Sequence, residues 1–162
     1  MSRASKGKRF FGATMILIKN RIIKIKINQN KIKKSIQTIL DHLKYNNFDI
    51  GILFTTNATI QQYNNQYRKK NTPTDVLSFP FHTDLKAGKK IKVLNETDKN
   101  LGDIIISLER VQKDANELET PFEKHLNRIL VHGICHLIGY DHLKDTDYKI
   151  MQAKENQLLK LI

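Results

Sequence analysis

The sequence contains no tryptophan, a single cysteine, three prolines and few aromatics, and these shortages narrow what the chain can be. With Cys135 alone, no internal disulfide framework can form, which fits a reducing cytosol. No apolar run approaches the length of a membrane span. The stretch from Met15 to Ile18 is too short for the core of a signal peptide, and Lys19 follows at once. A cytoplasmic protein without a membrane partner is expected. Acidic residues are scarce too: 16 Asp and Glu face 28 Lys and Arg, a formal net charge of +12. That excess suits a polyanionic partner, most simply nucleic acid, although a compositional bias towards Ile, Lys and Asn gives the same balance. Few aromatics remain for stacking bases, and most tyrosines fall at helical, partly buried positions. Nucleic-acid binding is therefore expected to be electrostatic, salt-sensitive and weakly sequence-selective.

A chain of 162 residues is most simply one domain with its own core. It shows no repeats, no low-complexity segment and no linker. Residues 1–14 are basic and aperiodic and read as a flexible leader, with a single domain over residues 15–162. Ile23, Ile25 and Ile27 alternate with polar residues as in a half-buried strand. Ile32, Ile36, Ile39, Leu40 and Leu43 follow helical spacing, and Asp49 to Thr55 reads as a buried strand. Asn57 is a candidate cap for a helix to about Tyr67 that buries Ile60, Tyr63 and Tyr67. Val76 to Phe79 reads as a strand that Pro80 ends or confines to an edge. A polar loop or irregular hairpin follows to Asn100, then a strand from Leu101 to Ser107 and a helix from Leu108 to Leu118. Thr120-Pro-Phe-Glu123 resembles a capping box opening a long helix, and Asp145 or Thr146 is expected to cap a last helix that turns Tyr148, Met151, Leu158, Leu159 and Ile162 inwards. This order implies an α+β fold, one mixed sheet packed with helices.

What the sequence does have is concentrated in His132-Gly-Ile-Cys-His136-Leu-Ile-Gly139-Tyr-Asp-His142. His132 and His136, four residues apart, share one helix face. Gly139 sits where a helix stops with a positive φ, and the chain can then return His142 towards the same point. Three neutral imidazoles with a fourth position left to water describe a catalytic zinc site on a long helix and the loop after it. The pair resembles the HExxH metalloproteases, except that Gly133 stands where their general-base carboxylate is. Cys135 between the ligands reads as a small buried hydrophobe. His125 reads either as a proton shuttle or as a packed side chain, and Asp141 either as an orienter of a ligand's second nitrogen or as a turn residue bonding its own backbone.

These residues resemble the signature of the YbeY family of bacterial rRNA-maturation endoribonucleases. Three further segments agree in order: Tyr67-Arg68 with Pro73-Thr-Asp-Val-Leu-Ser-Phe-Pro80, Leu101-Gly-Asp-Ile-Ile-Ile-Ser107, and the closing helix with Met151, Glu155, Leu158 and Leu159. The resemblance implies a zincin-like fold, one Zn2+ per chain on His132, His136 and His142, and Arg68 as a catalytic arginine. It further implies single-strand-directed cleavage of ribosomal RNA, notably at the small-subunit 3′ end, and a part in ribosome quality control. Asn71 departs from the Asp common at its position, and Cys135 from the usual aliphatic residue.

Read as chemistry, zinc on three neutral ligands keeps its double charge and brings a bound water to a pKa of about 7. Arg68 would offer a planar fork to the phosphate and its transition state, unless it only ties a loop by bonding carbonyls. Two other classes compete. A zinc peptidase needs the carboxylate that Gly133 lacks, and a non-catalytic ribosome- or RNA-binding assembly factor would close its zinc with a fourth protein ligand.

Overall fold

A computed structural model describes residues 15–162; the leader expected over residues 1–14 lies outside them. The elements run β1 (Ile16–Asn20), α1 (Gln29–Leu43), β2 (Asp49–Thr55), α2 (Asn57–Arg68), β3 (Val76–Pro80), β4 (Asn100–Ser107), α3 (Leu108–Glu117), α4 (Phe122–Leu137) and α5 (Asp145–Leu159), with a 3-10 turn at Glu96–Asp98. The sheet order is β1-β2-β4-β3, with β1, β2 and β4 parallel and β3 antiparallel on one edge. This is the expected α+β domain with a mixed sheet.

Alternation along β4 divides the core. Ile104 and Ile106 join Ile36, Leu40, Phe54, Leu130 and Ile134 in the main cluster under α1 and α4, whereas Ile105 packs with Leu77 and Ile60 of α2 in a smaller one. Successive strand residues face opposite sides, so α2 and α4 lie on opposite faces of the sheet. Pro80 falls at the end of the edge strand β3, where its missing N–H costs no ladder bond.

Several local expectations are corrected. Residues 23–27 form no strand: Ile23 is 93% exposed, and the pairing strand is β1, upstream of the alternating stretch. Ile25 and Ile27 do rest against the core, so the alternation reflects one-sided packing without a ladder partner. The cap of α2 is Thr56, one residue before Asn57, and Tyr67 is 56% exposed rather than buried. No capping box opens α4: Pro121 occupies the cap position, the Thr120 amide is spent on the Ala115 carbonyl, and Glu123 pairs with Lys31 at 2.6 Å. Neither Asp145 nor Thr146 caps α5, whose cap is Lys144; Asp145 and Asp147 instead place negative charge in its first turn, and Tyr148 is 52% exposed. The polar stretch after β3 is irregular but tied down. His82 Nε2 bonds the Asp98 carbonyl at 2.8 Å, Lys90 donates to the Leu43 carbonyl at 2.6 Å, and the Ile91 amide donates to the Tyr45 hydroxyl at 3.3 Å.

Candidate metal centre

The close approach of α4 to the sheet decides which of its positions face outwards. A Cβ on Gly133 would come within 2.8 Å of the Ile104 side chain, so glycine lets the helix lie tight on β4. With that face fixed, His132 and His136 emerge half-buried along one flank of the helix beside it. Their Nε2 atoms stand 3.1 Å apart. Two nitrogens each about 2.05 Å from one ion at a tetrahedral angle would stand about 3.3 Å apart, so this separation already suits shared ligation.

The third imidazole arrives by the turn that ends α4. Gly139 adopts φ +92°, and the Tyr140 amide bonds back to the Cys135 carbonyl at 3.0 Å. A Cβ at Gly139 would meet the Leu85 carbonyl at 2.6 Å, so the turn is also pressed under the loop after β3. His142 is exposed beyond it, its ring 5.4 Å from that of His132 and 5.1 Å from that of His136. One donor atom from each of the three rings lies within 4.8 Å of the others. Among the described residues this is the group of His, Cys, Asp and Glu side chains arranged to hold a metal ion.

The hydrogen bonds behind the rings test whether a cation fits. His136 Nδ1 faces the Tyr140 carbonyl at 3.0 Å, and a carbonyl only accepts, so Nδ1 carries the proton. His132 Nδ1 meets Glu155 Oε1 at 2.6 Å, where a carboxylate accepts in the same way. With Nδ1 occupied in this way on both rings, the two Nε2 atoms are left facing one point, where a metal ion can take their lone pairs. Burial, followed by the neighbouring His132 and His142, pulls the His136 pKa down to about 4, against the opposing pull of the Tyr140 carbonyl and Asp141. The ring is neutral, as metal ligation requires. Neutral imidazoles suit zinc among the divalent ions.

Nothing in the sequence singles out Glu155 by its chemistry. It lies 23 residues from His132, on α5, and its one signal is its place in the closing helix segment. The other candidates separate cleanly. Cys135 is fully buried and outside the three-histidine group, and burial pushes its thiol up to about 12. His125 is buried, with neither ring nitrogen bonded among the described residues. Asp141 accepts from the His142 backbone amide at 2.7 Å, the turn role.

Arg68 is not brought into contact with the histidines. It ends α2 on the other face of the sheet, exposed, with no hydrogen bond or ion pair among the described residues. The two places meet around edge strand β3. Phe79 packs edge-on against Tyr67 at 5.0 Å, beside Arg68, while Pro80 lines a cavity of about 540 Å³ together with His136, His82, Lys86, Tyr140 and Asp147.

The same chain has clear relatives. A family model described as Endoribonuclease YbeY matches residues 17–162. A protein of Caldicellulosiruptor bescii named Endoribonuclease YbeY is 36% identical over 151 residues, covering 90% of this chain and 95% of the relative. Another of that name, from Fusobacterium nucleatum, is 42% identical over 112 residues, covering 68% of this chain and 64% of the relative. In three dimensions the chain is similar to the solution structure of a Thermotoga maritima protein, with a TM-score of 0.60, 26% identity, and coverage of 91% of this chain and 87% of that one.

Proposed function

The chain belongs to the Endoribonuclease YbeY family, and on that premise we propose that it is a zinc-dependent endoribonuclease cutting single-stranded segments of ribosomal RNA in the cytoplasm. Its substrates are the maturing small-subunit 3′ end and the RNA of ribosomes under quality control. The observation that carries this reading is the convergence of three imidazoles, two of them with Nδ1 fixed so that Nε2 is free for a metal. No helix among the described residues is long and apolar enough to cross a membrane.

His132, His136 and His142 would hold the ion. When bound, it supplies a Lewis acid beside the phosphodiester and acidifies a water molecule. The remaining work belongs to the chain. Glu155 and the Tyr140 carbonyl hold two rings in the ligating tautomer, so the donors need little reorganisation. Arg68, without a side-chain partner among the described residues, would reach a non-bridging phosphate oxygen with its fork as negative charge builds up. Because Arg68 and the histidines flank β3 from opposite faces, a strand bound by both must pass over the Phe79-Pro80 end of that edge. An unpaired strand bends enough for that path, and a continuous duplex does not.

Two observations weigh against the rival readings. Position 133 faces Ile104, so it offers no place for a peptidase carboxylate. Cys135 is buried on another side, and no other described His, Cys, Asp or Glu joins the three histidines, so an ion held there would have room for a ligand from outside the protein. The test is single-turnover cleavage of single-stranded RNA by the metal-loaded chain and by His136→Ala, with end-group analysis of the products. His136→Ala should lose its metal, and cleavage should drop by more than about 100-fold. A 2′,3′-cyclic phosphate would identify the RNA 2′-OH as nucleophile, and a 5′-phosphate would identify water. Undiminished cleavage by His136→Ala would overturn the reading.

A further inference from the structure

From Lys124 to Leu137 every residue of α4 is buried except Lys124, Asn127, Arg128, His132 and His136. Four of these five fall at i, i+4, i+8 and i+12, so Lys124, Arg128, His132 and His136 form one line of accessible side chains along the helix. At 1.5 Å of rise per residue, Arg128 lies about 6 Å and Lys124 about 12 Å along the axis from His132. The metal ligands and the two cations thus occupy one continuous solvent face.

The second helix extends the same path. Glu155 of α5 touches His132, and Leu159, Lys160 and Ile162 beyond it line a groove with Lys124 and Arg128. The groove has a volume of about 750 Å³, and Asn156 supplies an amide on its wall. Lys124, Arg128 and Lys160 are exposed and make no hydrogen bond or ion pair among the described residues. The one acidic side chain of the lining, Glu123, is already paired with Lys31 at 2.6 Å. Half-buried Leu159 and Ile162 give the groove an apolar floor.

We infer that the valley between α4 and α5 is a track for the single-stranded RNA that continues from the metal centre, with Lys124, Arg128 and Lys160 each holding a backbone phosphate. This inference rests on the proposed ribonuclease activity and adds where the flanking strand runs. Three observations select the occupant. Lys124, Arg128 and Lys160 have no partner among the described residues, the one acidic side chain of the lining is compensated, and the groove lies on the same helix face as the ligand His132. The apolar floor accepts the faces of unpaired bases, which a duplex keeps stacked inside. The amides of Asn127 and Asn156 are too few to read a run of base edges, so the track should hold RNA without regard to sequence.

The test measures binding, which separates it from turnover. Anisotropy titrations would use labelled oligonucleotides of about three and about ten nucleotides, over a salt series, with the intact chain. A triple variant, Lys124→Ala/Arg128→Ala/Lys160→Ala, removes the track. Its charge-matched control, Lys33→Ala/Lys34→Ala/Lys44→Ala, removes lysines that do not line the groove. The track variant should bind the long strand at least about tenfold more weakly. Its slope of log affinity against log salt should become shallower by about 2, since each phosphate no longer neutralised accounts for roughly 0.7. Short-strand binding should be unchanged, and the control should match the parent on both. Equal losses in both variants, or an unchanged slope in the track variant, would overturn the inference and leave the ribonuclease reading standing. Equally tight, length-dependent binding of duplex would replace the single strand as occupant. A parent chain that neither binds nor cuts any single strand would overturn the ribonuclease reading itself.

Discussion

The histidine site and Arg68 are built in opposite ways. His132 and His136 rise from a helix pressed onto the sheet, and each has its back nitrogen held by a partner. Arg68 ends its helix exposed, and no described residue holds its guanidinium. The difference follows from what each must meet. A metal ion demands fixed distances, so its ligands are braced by the core and by α5. A phosphate on a flexible strand comes in many poses, and a long unpaired side chain can follow it.

This contrast can be broken from either side. The largest effect should come from the unbraced partner. Arg68→Ala is expected to keep metal content and melting temperature while single-turnover RNA cleavage falls by about 10²–10³. Arg68→Lys should recover little of that, because an ammonium keeps the charge and loses the fork. Full activity in the lysine variant would mean that charge alone is used there. On the braced side, Glu155→Ala should leave all three ligands in place yet weaken metal binding by about 10- to 100-fold, read by chelator competition. Glu155→Gln, which keeps an acceptor oxygen, should lie between. If metal affinity were the same in all three proteins, the 2.6 Å contact would have no part in ligation.

The smallest effect concerns pH in the metal-free chain. His136 takes up its proton only near pH 4 when folded, against about 6.5 for an unfolded histidine. Between those values the unfolded state binds more protons, so stability falls as pH drops through that window and levels off below it. Denaturation midpoints of chelator-treated protein from about pH 7 to 4 should show this decline, and His136→Ala should flatten it. A midpoint independent of pH over that range would contradict a neutral, half-buried His136.

Local rules reach the features that repeat along the chain. Helical spacing places His132 beside His136, Gly139 marks the stop, and the apolar run Asp49 to Thr55 coincides with β2. They fail where the outcome depends on distant partners. Ile23, Ile25 and Ile27 alternate correctly but have no strand to pair with, whereas Ile16–Asn20 has β2 beside it. Thr120 and Glu123 have capping-box identities, yet the Thr120 amide is taken by α3 and the Glu123 carboxylate by Lys31. The contact between Glu155 and His132 spans two helices, and no periodicity within either one encodes it.

Gly133 also bears on the evolutionary routes open to this scaffold. A one-base change could place Glu at that position and write His-Glu-x-x-His, the motif of zinc peptidases. Here the new side chain would first strike Ile104, and overpacking of that kind costs about 1–3 kcal/mol. A lineage taking that step would lose stability before gaining any chemistry, unless position 104 had already shrunk. The order of substitutions is therefore constrained, and combining Ile104→Ala with Gly133→Glu would show whether that barrier lies in packing alone.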